Sequence, residues 1–174
     1  MINVSIIVTC EEQQPELMRL LPELLSMQYD GEYEVIVVDK IHDKDMAEWF
    51  EEMEVHYPHL RHTFCPATAR GIDINKLALT LGAKASAYEW LAIVPAGTDL
   101  PSEGWLSHLT ACCSDEVDVV MAGKNHRWHR LTFNLFRRRL SIFRPTSSIF
   151  LCRRSILLQV EPHIPRKRVI RIPL

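Results

Sequence analysis

Three short polar clusters, each directly after an apolar run, hold the side chains best suited to chemistry. They are Thr9-Cys10-Glu11-Glu12, Asp39-Lys40 and Pro95-Ala96-Gly97-Thr98-Asp99. Carboxylates such as Glu11 and Asp39 can accept hydrogen bonds from N–H and hydroxyl donors. Asp99 is a hard oxygen donor of the kind divalent cations take. The plainer reading of Asp39 is a cap on the turn or helix that follows its strand.

The elements that must position these clusters alternate between strand and helix. Val4 to Val8 (VSIIV) is a buried strand ended by polar residues. Pro15 suits a first helical position. Leu17, Leu20, Leu21, Leu24 and Leu25 then form one apolar face of an amphipathic helix. Asp30-Gly31 marks a turn, and Tyr33 to Asp39 (YEVIVVD) is a second strand. Asp45 to Met53 reads as a short helix and Leu60 to Phe64 as a third strand. Lys76 to Ala87 is helical, with Gly82 as a small packing residue. Trp90 to Val94 is a fourth strand, ended by Pro95, which has no ladder donor. Pro101 opens a helix through Trp105 and Leu109, and Val117 to Ala122 is a fifth strand. Nearly continuous apolar strands between helices imply a mainly parallel sheet covered on both faces. In such sheets ligands bind at the carboxyl ends of the strands, where the three polar clusters fall.

Motif absences narrow the nucleotide folds. No G-x-G-x-x-G follows the first strand, which argues against a dinucleotide site. No G-x-x-x-x-G-K-[ST] occurs, which excludes a P-loop. The 174 residues suit one domain, and the apolar content suits a globular core. Five cysteines without a C-x-x-C pair read as reduced thiols of a cytoplasmic protein. The first residues read as strand rather than signal peptide, and no apolar run is long enough to span a membrane.

The ordered pieces resemble family 2 glycosyltransferases, enzymes of the α/β GT-A fold. That family opens with V-S-[IV]-I-[IV] and a polar turn, matched by Val4 to Val8 and Thr9 to Glu12. Its second strand ends in V-D-D, matched by Val38-Asp39-Lys40 with lysine for the second aspartate. An A-x-x-x-G-x-x-x-A helix before G-E-[YW]-[IL] is matched by Asn75 to Ala85 and Tyr88-Glu89-Trp90-Leu91. The family's D-x-D, then a proline and a Trp-Leu pair, correspond to Pro95-Ala96-Gly97, Pro101 and Trp105-Leu106. The resemblance covers residues 4–106 and implies a GT-A-like three-layer sandwich with a mainly parallel central sheet.

The resemblance also implies a ligand and a reaction: a UDP- or GDP-linked sugar, transferred to an acceptor hydroxyl. Thr9, Glu11 and Asp39 occupy the positions that hold the nucleoside. Glu12 replaces the usual asparagine of the first turn. Lys76 lies where related enzymes place a lysine facing the donor diphosphate, although it reads equally as a solvated lysine. Arg70 is a second cation with weaker support. In metal-dependent members the D-x-D carboxylates hold Mg²⁺ or Mn²⁺, which acts as a Lewis acid on the phosphoryl oxygens. Pro95, Ala96 and Gly97 have no side-chain oxygen, so Asp99 is left as the one candidate for a displaced metal ligand. The family's catalytic base is not recognisable either: beyond residue 118 the sole acidic residue is Glu161. His126, His129 and His163 could serve chemically but sit in no motif. Hence the alternative to a transferase is a catalytically dead GT-A module used for protein or membrane-surface interaction.

Charge divides the chain into two parts. Residues 1–123 carry 7 basic and 21 acidic residues, a net of −14. Residues 124–174 carry 13 basic residues and one acidic residue, a net of +12. The first part reads as the nucleotide-sugar-binding half, and the second as a basic segment that completes the same domain. From Lys124 to Arg154, arginines interleave with Trp128, Phe133, Phe136, Leu140 and Phe143. Such a segment can pack its apolar face on the sheet, or lie on an anionic membrane as a peripheral anchor. No nucleic-acid-binding motif accompanies it. Ser148 to Ser155 (SIFLCRRS) resembles a strand of the family and points to an integral part of the fold.

Overall fold

The computed structural model describes residues 1–11, 15–41, 44–66, 73–101, 103–122, 149–158 and 169–172. The expectations placed on Glu12, Arg70, Glu161, the three histidines and most of the basic segment lie outside these residues.

Among the described residues, seven strands form one sheet: β1 (Val4–Cys10), β2 (Tyr33–Asp39), β3 (Leu60–Phe64), β4 (Trp90–Ile93), β5 (Val119–Ala122), β6 (Phe150–Arg153) and β7 (Val169–Ile172). Their spatial order is β3-β2-β1-β4-β6-β5-β7. β3, β2, β1 and β4 are parallel neighbours, as are β5 and β7. β6 runs antiparallel between β4 and β5. The helices are α1 (Pro15–Leu25), α2 (Lys44–His56), α3 (Ile74–Ala85), α4 (Trp105–Thr110) and α5 (Arg154–Leu158).

Alternation along β1 and β2 sends side chains to two cores. Val4, Ile6, Val8, Val35 and Val37 pack with the five leucines of α1, with Met46 and Phe50 of α2, and with Trp105, Leu106 and Leu109 of α4. Ile7, Ile36 and Val38 face the other way, onto Ala78, Leu79 and Ala83 of α3. This is the three-layer sandwich expected of strands that are apolar on both faces. The leucine face of α1 is buried as its spacing requires, and the helix begins at Pro15. Gly82 permits close packing of α3 on β1: a Cβ there would lie 2.7 Å from Ile7 Cγ2.

Several boundaries differ from the sequence reading. α3 starts two residues earlier than expected because the Asp73 side chain caps it, accepting from the N–H groups of Asn75 and Lys76. α4 starts at Trp105 rather than at Pro101, after Gly104 in the left-handed region at φ 79°. A residue there breaks the helical path, and glycine adopts it without strain. β7 was not read from the sequence at all.

The amino-terminal edge of the sheet is fixed by a buried polar network. Glu34 Oε1 accepts from Ser5 Oγ at 2.6 Å and from the Ala87 N–H at 2.6 Å. Ser5 Oγ in turn accepts from the Tyr88 N–H at 3.2 Å. The turn between α3 and β4 is thereby tied to β1 and β2. Arg61 Nε lies 3.4 Å from Glu34 Oε2 and balances its charge. Glu34→Ala leaves the Ser5 hydroxyl and the Ala87 N–H buried without this acceptor. The expected cost is about 2–3 kcal/mol, read as a fall of about 1 M in the urea midpoint. An unchanged midpoint would show that the network does not stabilise the fold.

Candidate functional site

The carboxyl ends of β1, β2, β3 and β4 share one edge of the sheet because the four strands are parallel. Cys10, Asp39 and Phe64 stand in register there, so the end of β2 lies between the ends of β1 and β3. The chain extends the ladder beyond the strands. The Lys40 N–H donates to Cys10 O, the Cys65 N–H to Asp39 O, and the Val94 N–H to Ile7 O. α3 runs back across the sheet from this edge, since β3 ends here and β4 begins at the opposite edge. Its first turn, with Lys76, therefore sits at the carboxyl edge. Thr9, Glu11, Asp39, Lys76 and Asp99 are all brought to this side of the molecule.

Their individual settings differ. Asp39 is 0% exposed, and its Oδ1 accepts from the Ile41 N–H at 2.8 Å. That bond closes the turn after β2, so the capping role read from the sequence is present. Ligand access to this carboxylate requires one of its contacts to be exchanged. Cys10 and Cys65 are both buried, and both are unpaired thiols. Burial first, then the nearby Asp39 carboxylate, pushes the Cys10 thiol up to about 12. The same two causes raise Cys65. Neither thiol is a nucleophile at neutral pH in this setting, because the thiolate is the reactive form. Thr9 is partly buried near the end of β1, and Lys76 is exposed.

Two ion pairs at this edge could not be read from the linear order. Lys40 Nζ lies 3.1 Å from Glu11 Oε1. The lysine side chain is only 11% exposed, against 56% for the glutamate. The available signal was a pair of opposite charges just past the ends of neighbouring parallel strands. Arg19 of α1 meets Asp99 at 2.5 Å, which engages the carboxylate singled out as a displaced metal ligand.

The segment after β4 is a tight turn: the Thr98 N–H donates to Pro95 O at 2.9 Å. Gly97 sits at its tip, where a Cβ would meet nothing within 4 Å. Thr98 is 3% exposed, and its hydroxyl has no hydrogen-bond partner among the described residues. No group of three or more histidine, cysteine or carboxylate side chains could hold a metal ion among the described residues.

The strand order and this edge can be set beside solved structures. A mannosyltransferase from Pyrobaculum calidifontis in complex with GDP-Man and Mn²⁺ matches 98% of this chain at a TM-score of 0.69 and 19% identity. S. aureus TarS 1-349 matches 94% at 0.63 and 18% identity. Glucosyl-3-phosphoglycerate synthase from Mycobacterium tuberculosis, in complex with Mn²⁺, UDP and phosphoglyceric acid, matches 98% at 0.63 and 13% identity. The chain has the GT-A fold. The expectation of fold class is met, down to the mainly parallel central sheet. No protein-family model matches the sequence, and no curated protein matches it in sequence. The GT-A chain described here spans 54% and 50% of the first two neighbours, and 68% of the third. Among the described residues, no helix is long and apolar enough to cross a membrane.

Proposed function

We propose that this chain binds a nucleoside-diphosphate sugar at the carboxyl ends of β1, β2 and β4, as a GT-A domain of the family 2 type. The reaction class is transfer of the sugar to an acceptor hydroxyl. Thr9, Glu11 and Asp39 bind the nucleoside end, and Lys76 approaches the diphosphate from the first turn of α3. The carrying observation is the parallel β3-β2-β1-β4 block, which gathers these residues at one edge. Open parallel sheets bind ligands at this edge, outside the carboxyl ends of the strands. Solved proteins of similar fold hold GDP-Man or UDP.

Calorimetric titration with UDP and GDP tests the reading. Saturable binding of at least one of them, with a Kd in the micromolar to millimolar range, is the expected result. No heat with either nucleotide, with or without Mn²⁺, would remove it.

A second reading keeps the fold and discards the chemistry. Pro95, Ala96 and Gly97 supply no side-chain oxygen where metal-dependent members carry two carboxylates, which favours a catalytically dead module. Its partner would be a protein or an anionic membrane surface met by the basic segment after residue 123. Absence of both sugar transfer and hydrolysis is its signature.

A further inference from the structure

Mn²⁺ and Mg²⁺ accompany nucleotides in solved structures of similar fold, so the fit of a divalent cation to this edge can be examined. Such a cation takes several oxygen ligands at short range. The carboxylates at this edge do not converge: among the described residues, no group of three or more histidine, cysteine or carboxylate side chains could hold a metal ion. Glu11 is paired with Lys40, Asp39 Oδ1 with the Ile41 N–H, and Asp99 with Arg19. The turn that corresponds to D-x-D offers backbone and one threonine hydroxyl. The donor set does not fit the ion.

The charge at the same edge has moved the opposite way. Relative to a V-D-D and D-x-D pattern, three carboxylates are missing and one ammonium, that of Lys40, is gained. That shift is larger than the charge a divalent cation would bring. Lys40 is also well placed to act. Its N–H is bound to Cys10 O, which fixes the residue between the ends of β1 and β2. Its side chain is largely enclosed, whereas its partner Glu11 is mostly exposed. The contact is a single ion pair at 3.1 Å to a glutamate that water solvates on release, so an incoming phosphate can displace it from the ammonium. β2 and β4 are separated by β1, about 10 Å in all, a span that a diphosphate and its sugar can bridge.

We propose that this chain binds its nucleoside diphosphate without a divalent cation, with the Lys40 ammonium as the charge partner of the phosphates. The inference rests on the nucleotide-binding reading above. It places the second-aspartate substitution and the lost D-x-D in one compensated change, rather than in two independent losses.

The test is titration of the full chain with UDP and GDP, once in EDTA and once in Mn²⁺, at matched ionic strength. The expected Kd agrees within about twofold between the two conditions. Lys40→Met is expected to weaken binding about tenfold or more, as removal of a charge-assisted hydrogen bond does. Lys40→Arg restores most of it, which separates a charge role from damage to the fold; melting temperatures of both variants check the latter. Binding seen with Mn²⁺ alone would overturn the inference and leave the nucleotide reading intact. Equal affinity of Lys40→Met and the unaltered chain would remove Lys40 from the site. No binding in either condition would remove the nucleotide reading and this inference together.

Discussion

Replacing Pro95 and Gly97 together by aspartate is expected to create a Mn²⁺ site with a Kd on the order of 10⁻⁴–10⁻³ M, the range of weak oxygen-ligand sites. The turn allows it. Gly97 has open space where a side chain would project and no left-handed backbone, so a substituted residue meets neither clash nor strain. Pro95 lies just after the last ladder bond of this segment, the one from the Val94 N–H to Ile7 O. Its replacement therefore disturbs no strand pairing. The two new carboxylates would flank one residue of a tight turn and meet a cation from the same side. Binding is read from the loss of the free Mn²⁺ signal in electron paramagnetic resonance, with and without UDP. Pro95→Asn with Gly97→Asn is the control, since it keeps size and hydrogen bonding while adding no charge. If the folded aspartate variant retains no more Mn²⁺ than the asparagine variant, the turn does not aim these positions at a common point. The correspondence of Pro95-Ala96-Gly97 with D-x-D would then fall.

That experiment also bears on whether this turn has the backbone frame of a metal-binding turn. A site that regains metal affinity from two substitutions has kept its backbone frame. GT-A folds place the frame in the sheet and the chemistry in the turns, so the two can diverge separately. Here the frame is held from the opposite edge, by Glu34, Ser5 and the turn before β4, and by the close seat of Gly82 on Ile7. Glu34, Ser5 and the turn before β4 lie away from the carboxyl edge, whereas Ile7 O accepts from the Val94 N–H there. Their retention says nothing about activity.

The legible part of this protein was the part governed by periodicity. Strands β1, β2 and β4 are runs of apolar residues buried on both faces, and helix α1 carries its leucines at helical spacing. Local pattern determines such elements, and here tertiary context agreed with it. α3 begins ahead of Lys76 because the Asp73 side chain caps it, a signal that apolar spacing does not carry. β7 is four residues, VIRI, β-branched at three positions, but the run is short and its pairing with β5 joins positions far apart in the chain. The site showed the same division. The strand ends lie together at one edge, because topology places them there. The pairing of Lys40 with Glu11 and of Arg19 with Asp99 depends on which strand neighbours which, and on which face α1 covers. Those are products of the fold, and they change how both acidic residues must be read.

Asp39→Asn is expected to weaken nucleotide binding about tenfold or more while leaving the melting temperature within a few degrees. On the proposed reading the carboxylate serves two ends, and the two effects then separate. As a turn cap it needs one acceptor oxygen for the Ile41 N–H, and an amide supplies that. As a ligand for a base N–H or ribose hydroxyl it acts through charge, worth about 1.5–3 kcal/mol in a hydrogen bond, or roughly tenfold and upward in Kd. Asparagine keeps the first role and loses the second. Asp39→Ala loses both and should lower the melting temperature as well, since the turn donor then has no side-chain partner. An internal gauge is also present. The negative charge of Asp39 helps raise the Cys10 thiol, second to burial, so Asp39→Asn should lower that pKa from about 12 without bringing it near neutrality. Thiol alkylation followed at high pH reads this change and shows whether the variant alters the local charge as intended. A variant with the lowered thiol pKa, an unchanged melting temperature and unchanged nucleotide affinity would reduce Asp39 to a turn cap. The nucleoside contacts would then have to come from the turn after β1 alone.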